Sequence, residues 1–223
     1  MRGALAARAD PDRAARMRDY MKSSMPYRGV PAPSRKEALR DAFSARPIVG
    51  RAAWKATVLA LWRGARFREE RYAAIALAGD RRYRKHAVSV DALPIYEELI
   101  TDGAWWDLVD DVAIHRIGPL LGEHPRVLRP AVLRWSRDPD RWLRRCAIIC
   151  QIGAKADTDA TLLYAAIAPN IADRDFFIRK AIGWALRERS KTHPAEVRRY
   201  VREHEGELSG LSRREALASL ERC

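Results

Sequence analysis

Arg145-Cys146-Ala147-Ile148-Ile149 is the stretch that decides how this chain folds, because it has counterparts on both sides. Arg71-Tyr72-Ala73-Ala74-Ile75 lies 74 residues earlier and Lys180-Ala181-Ile182-Gly183-Trp184 lies 35 residues later. Halving the longer interval predicts a further copy near residue 108, and Asp110-Asp111-Val112-Ala113-Ile114 stands there. Around these copies Ala, Leu, Arg and Glu dominate, apolar residues recur three and four apart, and strand-like alternation is nearly absent.

A helical period in the high thirties is that of paired-helix repeats. The expected fold is therefore all-α, a HEAT-like solenoid of helix pairs with a concave basic groove, forming one domain over residues 1–223. Breaks between helices are expected at Met25-Pro26-Tyr27-Arg28-Gly29, Gly50, Gly103, Pro125, Pro139, Pro169 and Pro194. Ser34 with Glu37 reads as a capping box, and Asp138-Pro139 and Asp173 read as openings of the helices that follow them.

The copies disagree in the sign of their first residue. Arg71, Arg145 and Lys180 are basic, whereas Asp110 is acidic. If the anchors share one face, an otherwise cationic surface carries a carboxylate in its middle. Such a carboxylate belongs there when something positive must be met; the other reading is that Asp110 pairs with a neighbouring arginine.

Charge points to a polyanion. The 223 residues include 42 Lys and Arg against 29 Asp and Glu, a net +13, and each phosphate neutralised by such a surface releases counterions. Of three cysteines, Cys146 and Cys150 stand four apart in an apolar run and read, with Cys223, as reduced structural thiols. The histidines are dispersed, with no metal-binding spacing and no glycine-rich phosphate loop, so neither metal nor cofactor is expected. No run approaches membrane-spanning length, and a cytoplasmic, monomeric protein is expected.

The segment Ala104-Trp105-Trp106-Asp107-Leu108-Val109-Asp110 resembles the Trp-Trp-Asp-x-Val-Asp signature of the DNA alkylation repair family of HEAT-like glycosylases, the AlkD type. Tyr20-Met21-Lys22, Pro26-Tyr27-Arg28-Gly29-Val30 and Ser34-Arg35 are similar to its N-terminal segment. Phe176-Phe177-Ile178-Arg179-Lys180-Ala181-Ile182-Gly183-Trp184-Ala185-Leu186-Arg187-Glu188 and Leu211-Ser212-Arg213-Arg214-Glu215-Ala216 resemble its later blocks. The resemblance implies hydrolysis of the N-glycosidic bond of cationic N3- and N7-alkylated purines in duplex DNA, without flipping the lesion into a pocket. It implies that Asp110, Trp106 and Trp184 are catalytic or touch the lesion, and that Tyr20 and Arg145 lie near the lesion and its backbone.

Residue chemistry fits that implication. A carboxylate aimed at a developing oxocarbenium-like sugar stabilises it and orients water. Basic neighbours are expected to keep Asp110 ionised. Trp106, four residues earlier, shares a helical face with Asp110, and indole faces attract cations. Trp184 offers a second aromatic wall or, alternatively, a core side chain; Trp54, Trp62, Trp135 and Trp142 read as packing. Arg145 and Lys180 are the foremost candidates for phosphate contacts, followed by Arg71 and Arg144, while Arg81-Arg82-Tyr83-Arg84-Lys85 and Arg198-Arg199 read equally as solvated faces. Two other functions remain open on the sequence: a non-catalytic relative that binds branched or distorted DNA, and a scaffold for acidic protein partners.

Overall fold

The computed structural model describes residues 1–220; Cys223 lies outside the described residues. Among those residues all regular structure is helical, and the chain forms two compact units, Met1–Ala87 and a second beginning at Val88.

The first unit contains α1 (Arg2–Ala6), α2 (Pro11–Met21), α3 (Ala32–Ser44), α4 (Arg51–Arg63), α5 (Arg68–Ala78) and α6 (Arg84–Ala87). Trp54, Val58 and Trp62, four apart on α4, form a fully buried stripe, and α4 packs on α5. Asp10 caps α2 by accepting from the Arg13 amide at 2.9 Å, with Pro11 in the first turn. The expected capping box at Ser34 does not form. Helix α3 starts three residues earlier, after Pro31, and Pro33 in its first turn has no N–H to satisfy.

Two buried glutamates organise the loop between α2 and α3. Glu69 accepts the backbone N–H groups of Arg28, Gly29 and Val30 at 2.9–3.1 Å. Glu70 accepts from Arg28 Nη2 at 3.0 Å and from the Arg66 amide at 2.9 Å. Burying a carboxylate costs several kcal/mol unless such donors compensate. This gives Pro26-Tyr27-Arg28-Gly29-Val30 its physical meaning: Tyr27 shares a hydrogen bond with Tyr72 at 3.0 Å, Arg28 lies over the Phe67 ring, and Val30 is core. Gly29 adopts φ +81°, and a Cβ there would stand 2.0 Å from the Asp10 carbonyl oxygen.

The second unit contains α7 (Leu93–Gly103), α8 (Trp106–Val112), α9 (Gly118–Glu123), α10 (Pro125–Trp135), α11 (Arg141–Ile149), α12 (Ala160–Ile167), α13 (Phe176–Ser190), α14 (Pro194–Glu203) and α15 (Gly210–Leu217). Helix α8 continues into α9 through a π-helical turn over Ala113–Ile117. Helices α8, α11 and α13 begin at Trp106, Arg141 and Phe176, at 35-residue intervals, so Asp110, Arg145 and Lys180 each occupy the fifth position of their helix. Successive members of the series α8, α11, α13 and α15 pack on one another, and α7, α10 and α14 cover them. The repeat register is therefore real in three dimensions.

The helix starts repeat in detail, two residues later than expected. Asp140 and Asp175 are the caps, accepting from the amides of Trp142 at 2.7 Å and Phe177 at 2.8 Å. Asp138 and Asp173 stand two residues before them and accept the caps' own amides, each at 2.8 Å. Of the packing tryptophans, Trp135 is buried with its indole N–H donated to Glu97 at 2.9 Å, and Trp142 packs at tilted ring angles against Trp105 and Phe177. Cys146 and Cys150 are free and buried, and burial drives the Cys150 thiol up to about 12, which suits inert core thiols.

Candidate nucleic-acid interface

Trp106 opens α8 and is half-buried; Asp110 lies one turn on, with its side chain 14% exposed. The carboxylate meets the guanidinium of Arg145 from the next repeat helix in a two-point fork, Nε to Oδ1 at 2.7 Å and Nη2 to Oδ2 at 2.8 Å. The third nitrogen, Nη1, donates to the Phe177 carbonyl at 2.6 Å. Arg145 is almost wholly buried, and these bonds engage all three of its nitrogens. In this arrangement Arg145 orients Asp110 and reaches back to α13 instead of extending toward a phosphate.

Burial pushes the Asp110 carboxyl above its ordinary value, and Asp107 adds to the rise. Arg145 pulls the other way, through its hydrogen bonds and its charge, without overcoming burial. Arg145 thus favours the ionised form, as expected of a basic neighbour, while desolvation is the larger effect.

Trp184 lies on α13 at the ninth helical position, where α11 places the fully buried Ile149. Trp184 itself is half-buried, so part of it meets solvent where Ile149 does not. Trp105 takes the packing role beside Trp106, its ring centroid 5.5 Å from that of Phe177 and 6.1 Å from that of Trp142.

The remaining candidates divide. Lys180 is 41% exposed and forms an ion pair with Glu215, which also accepts from Arg187 Nη1 at 2.6 Å. Arg144 bonds the carbonyls of Asp138 and Pro139 at 2.8 and 3.0 Å and reaches Asp173 at 3.2 Å. It ties two helix starts together, a different employment from the phosphate contact expected of it. Tyr20 and Arg71 belong to the first unit. Tyr20 is 80% exposed on α2, and the Arg71 guanidinium lies 4.2 Å from the centroid of the Trp62 ring. In the basic clusters, Arg82 closes on Asp80 at 2.6 Å, while Arg198 donates to the Leu220 carbonyl at 3.2 Å.

Sequence reasoning missed Glu215 as a site residue, although its separation of 35 from Lys180 repeats that of Asp110 from Arg145. Asp110 with Arg145 and Lys180 with Glu215 thus form two ion pairs between successive repeat helices. Two cavities of the second unit, of about 710 and 230 Å³, include none of Trp106, Asp110 and Trp184 in their walls. Among the described residues no group of three or more His, Cys, Asp or Glu is placed to hold a metal ion, and no helix is long and apolar enough to cross a membrane.

The fold agrees with that of known proteins. A predicted DNA alkylation repair enzyme from Enterococcus faecalis superposes with a TM-score of 0.85 at 29% identity, covering 97% of this chain and 98% of that one. AlkD2 from Streptococcus mutans gives 0.63 at 15% identity, covering 93% and 97%, and shows the fold alone. Smu.31, from Streptococcus mutans UA159, gives 0.63 at 16% identity, covering 92% and 96%, again the fold alone. A search of curated proteins returned no match. The model of the family described as DNA alkylation repair enzyme matches residues 1–220, and the chain belongs to that family.

Proposed function

We propose that this protein is a DNA glycosylase that hydrolyses the N-glycosidic bond of cationic N3- or N7-alkylated purines in duplex DNA, working as a monomer in the cytoplasm. The observation that carries the reading is the Asp110 carboxylate: one helical turn from Trp106, only slightly exposed, and held in a fixed orientation by Arg145.

An alkylated purine already carries a positive charge. When the C1′–N bond breaks, its electron pair neutralises the base, and positive charge develops on the sugar. An oriented carboxylate stabilises that charge without reorganising. Water then adds to C1′ and gives up a proton, either to Asp110 or to solvent. Trp106 and Trp184 offer indole faces to the cationic base; an attraction of about 0.5–2 kcal/mol favours it over a neutral base. On this reading the lesion is recognised while still stacked, a mode supported by the absence of these residues from the walls of the two cavities described. Lys180 contributes to phosphate binding, with Tyr20 and Arg71 of the first unit as further contacts.

The test is release of free 7-methylguanine from modified duplex DNA. Release above the spontaneous rate, lost in Asp110→Asn, is expected. Tight binding with no release would instead favour a non-catalytic DNA binder, a reading compatible with a carboxylate that already has a cationic partner. DNA binding is expected to weaken steeply with salt; a flat response points to a protein scaffold.

A further inference from the structure

The stripe of α13 that carries Trp184 continues in both directions. Lys180 lies one turn before Trp184 and Arg187 one turn after, so the three side chains emerge along one face. A single carboxylate of the neighbouring helix spans the two cations: Glu215 accepts from Lys180 Nζ at Oε1 and from Arg187 Nη1 at Oε2. The Glu215 side chain is 18% exposed, whereas its partners are 41% and 32% exposed.

The backbone holds α15 in place on both sides of Trp184. A Cβ on Gly183 would lie 2.5 Å from Glu215 Cβ and 3.0 Å from the Ser212 carbonyl oxygen, so glycine is what permits this approach. Before Trp184, the Ser212 hydroxyl donates to the Arg179 carbonyl at 2.9 Å. Beyond it, Ser190 and Ser219 share a hydrogen bond at 2.8 Å.

A surface built only for DNA affinity would leave Lys180 and Arg187 unencumbered, since each free cation displaces counterions from the duplex. Here both are engaged by one anion, and they occupy the helical positions four before and three after Trp184, so tethering them limits the space into which the indole can turn. We propose that Glu215 is a positioning residue: by bridging Lys180 and Arg187 it fixes the orientation of Trp184 while lowering general affinity for unmodified DNA. The inference rests on the reading above, in which Trp184 faces the alkylated base.

Glu215→Gln tests it. Single-turnover release of 7-methylguanine at saturating enzyme is expected to slow about tenfold, as small misplacements of a contact group do. Affinity for unmodified duplex should rise at the same time, and the slope of log K against log salt should steepen by about one to two as the two cations are freed. Glu215→Asp, which keeps the charge on a shorter arm, should restore the wild-type salt slope but only part of the excision rate. A merely structural role predicts another pattern, in which excision, DNA binding and thermal midpoint fall together at unchanged slope; that pattern overturns the proposal, as does wild-type excision in the Gln variant. Should Glu215→Gln fail to fold, the Asp variant decides: wild-type excision overturns the proposal and a reduced rate at wild-type slope supports it. If the wild-type protein releases no base, the glycosylase reading fails, yet the affinity and slope measurements still report whether Glu215 restrains the two cations.

Discussion

Asp110 and Arg145, 35 residues apart in the chain, meet through two hydrogen bonds of 2.7 and 2.8 Å, and burial nevertheless raises the carboxyl above its ordinary value of 3.8. Catalysis through Asp110 requires its ionised form. The rate of base release should therefore fall on the acid side with a midpoint above 3.8, and the residual rate of Asp110→Asn should lack that limb. Stability carries the opposite sign. The folded chain holds this proton more tightly than the unfolded chain, so the contribution is full below 3.8 and is lost as pH rises through the folded value. A pH–rate profile on the two proteins checks the first statement, and thermal melts across the same range check the second.

Removing either partner of this pair should have unequal effects. Arg145→Met leaves the carboxylate facing a buried apolar group and strands the Phe177 carbonyl, and breaking such a pair costs about 3–5 kcal/mol. Asp110→Asn leaves the buried guanidinium without its counter-charge and keeps only one of the two acceptors, so it should destabilise as well, by less than Arg145→Met because one hydrogen bond and the Phe177 contact survive. Denaturant titration of both variants gives the comparison, and equal loss would argue against the proposed asymmetry.

The tryptophans should separate into two groups. Trp106→Ala and Trp184→Ala remove half-buried rings, so base release should slow by about two- to thirtyfold, the equivalent of 0.5–2 kcal/mol, with the helical circular dichroism signal retained. Trp54→Ala and Trp62→Ala empty fully buried sites, and each should cost about 3–5 kcal/mol of stability. Release kinetics alongside melting curves distinguish the groups.

Gly29→Ala should destabilise the first unit by more than about 1 kcal/mol, because φ +81° is unfavourable for alanine and the added carbon meets the Asp10 carbonyl oxygen at 2.0 Å. A lowered thermal midpoint, with faster amide exchange at Arg28 and Val30, is the expected signature.

Helix type and several of the breaks between helices were legible in the linear chain because each depends on neighbours within a few residues, and the repeat interval was legible because equivalent residues recur. Apolar spacing, the prolines at 125 and 194 that open α10 and α14, and the 35-residue separations of Asp110, Arg145 and Lys180 are all read directly along the chain. Local reasoning placed two caps two residues early, at Asp138 and Asp173, because several nearby carboxylates compete for the same amides and geometry chooses among them. The sign pattern of the anchors was visible too, and pairing of Asp110 with an arginine was one of its two readings, but which arginine it would meet was not. An arginine and an aspartate in neighbouring repeats can each face phosphate, solvent or one another, and packing of α8 on α11 and of α13 on α15 brings Arg145 to Asp110 and Glu215 to Lys180. Side-chain pairing and the balance between burial and charge at Asp110 depend on distances across helices, which no interval along the chain contains.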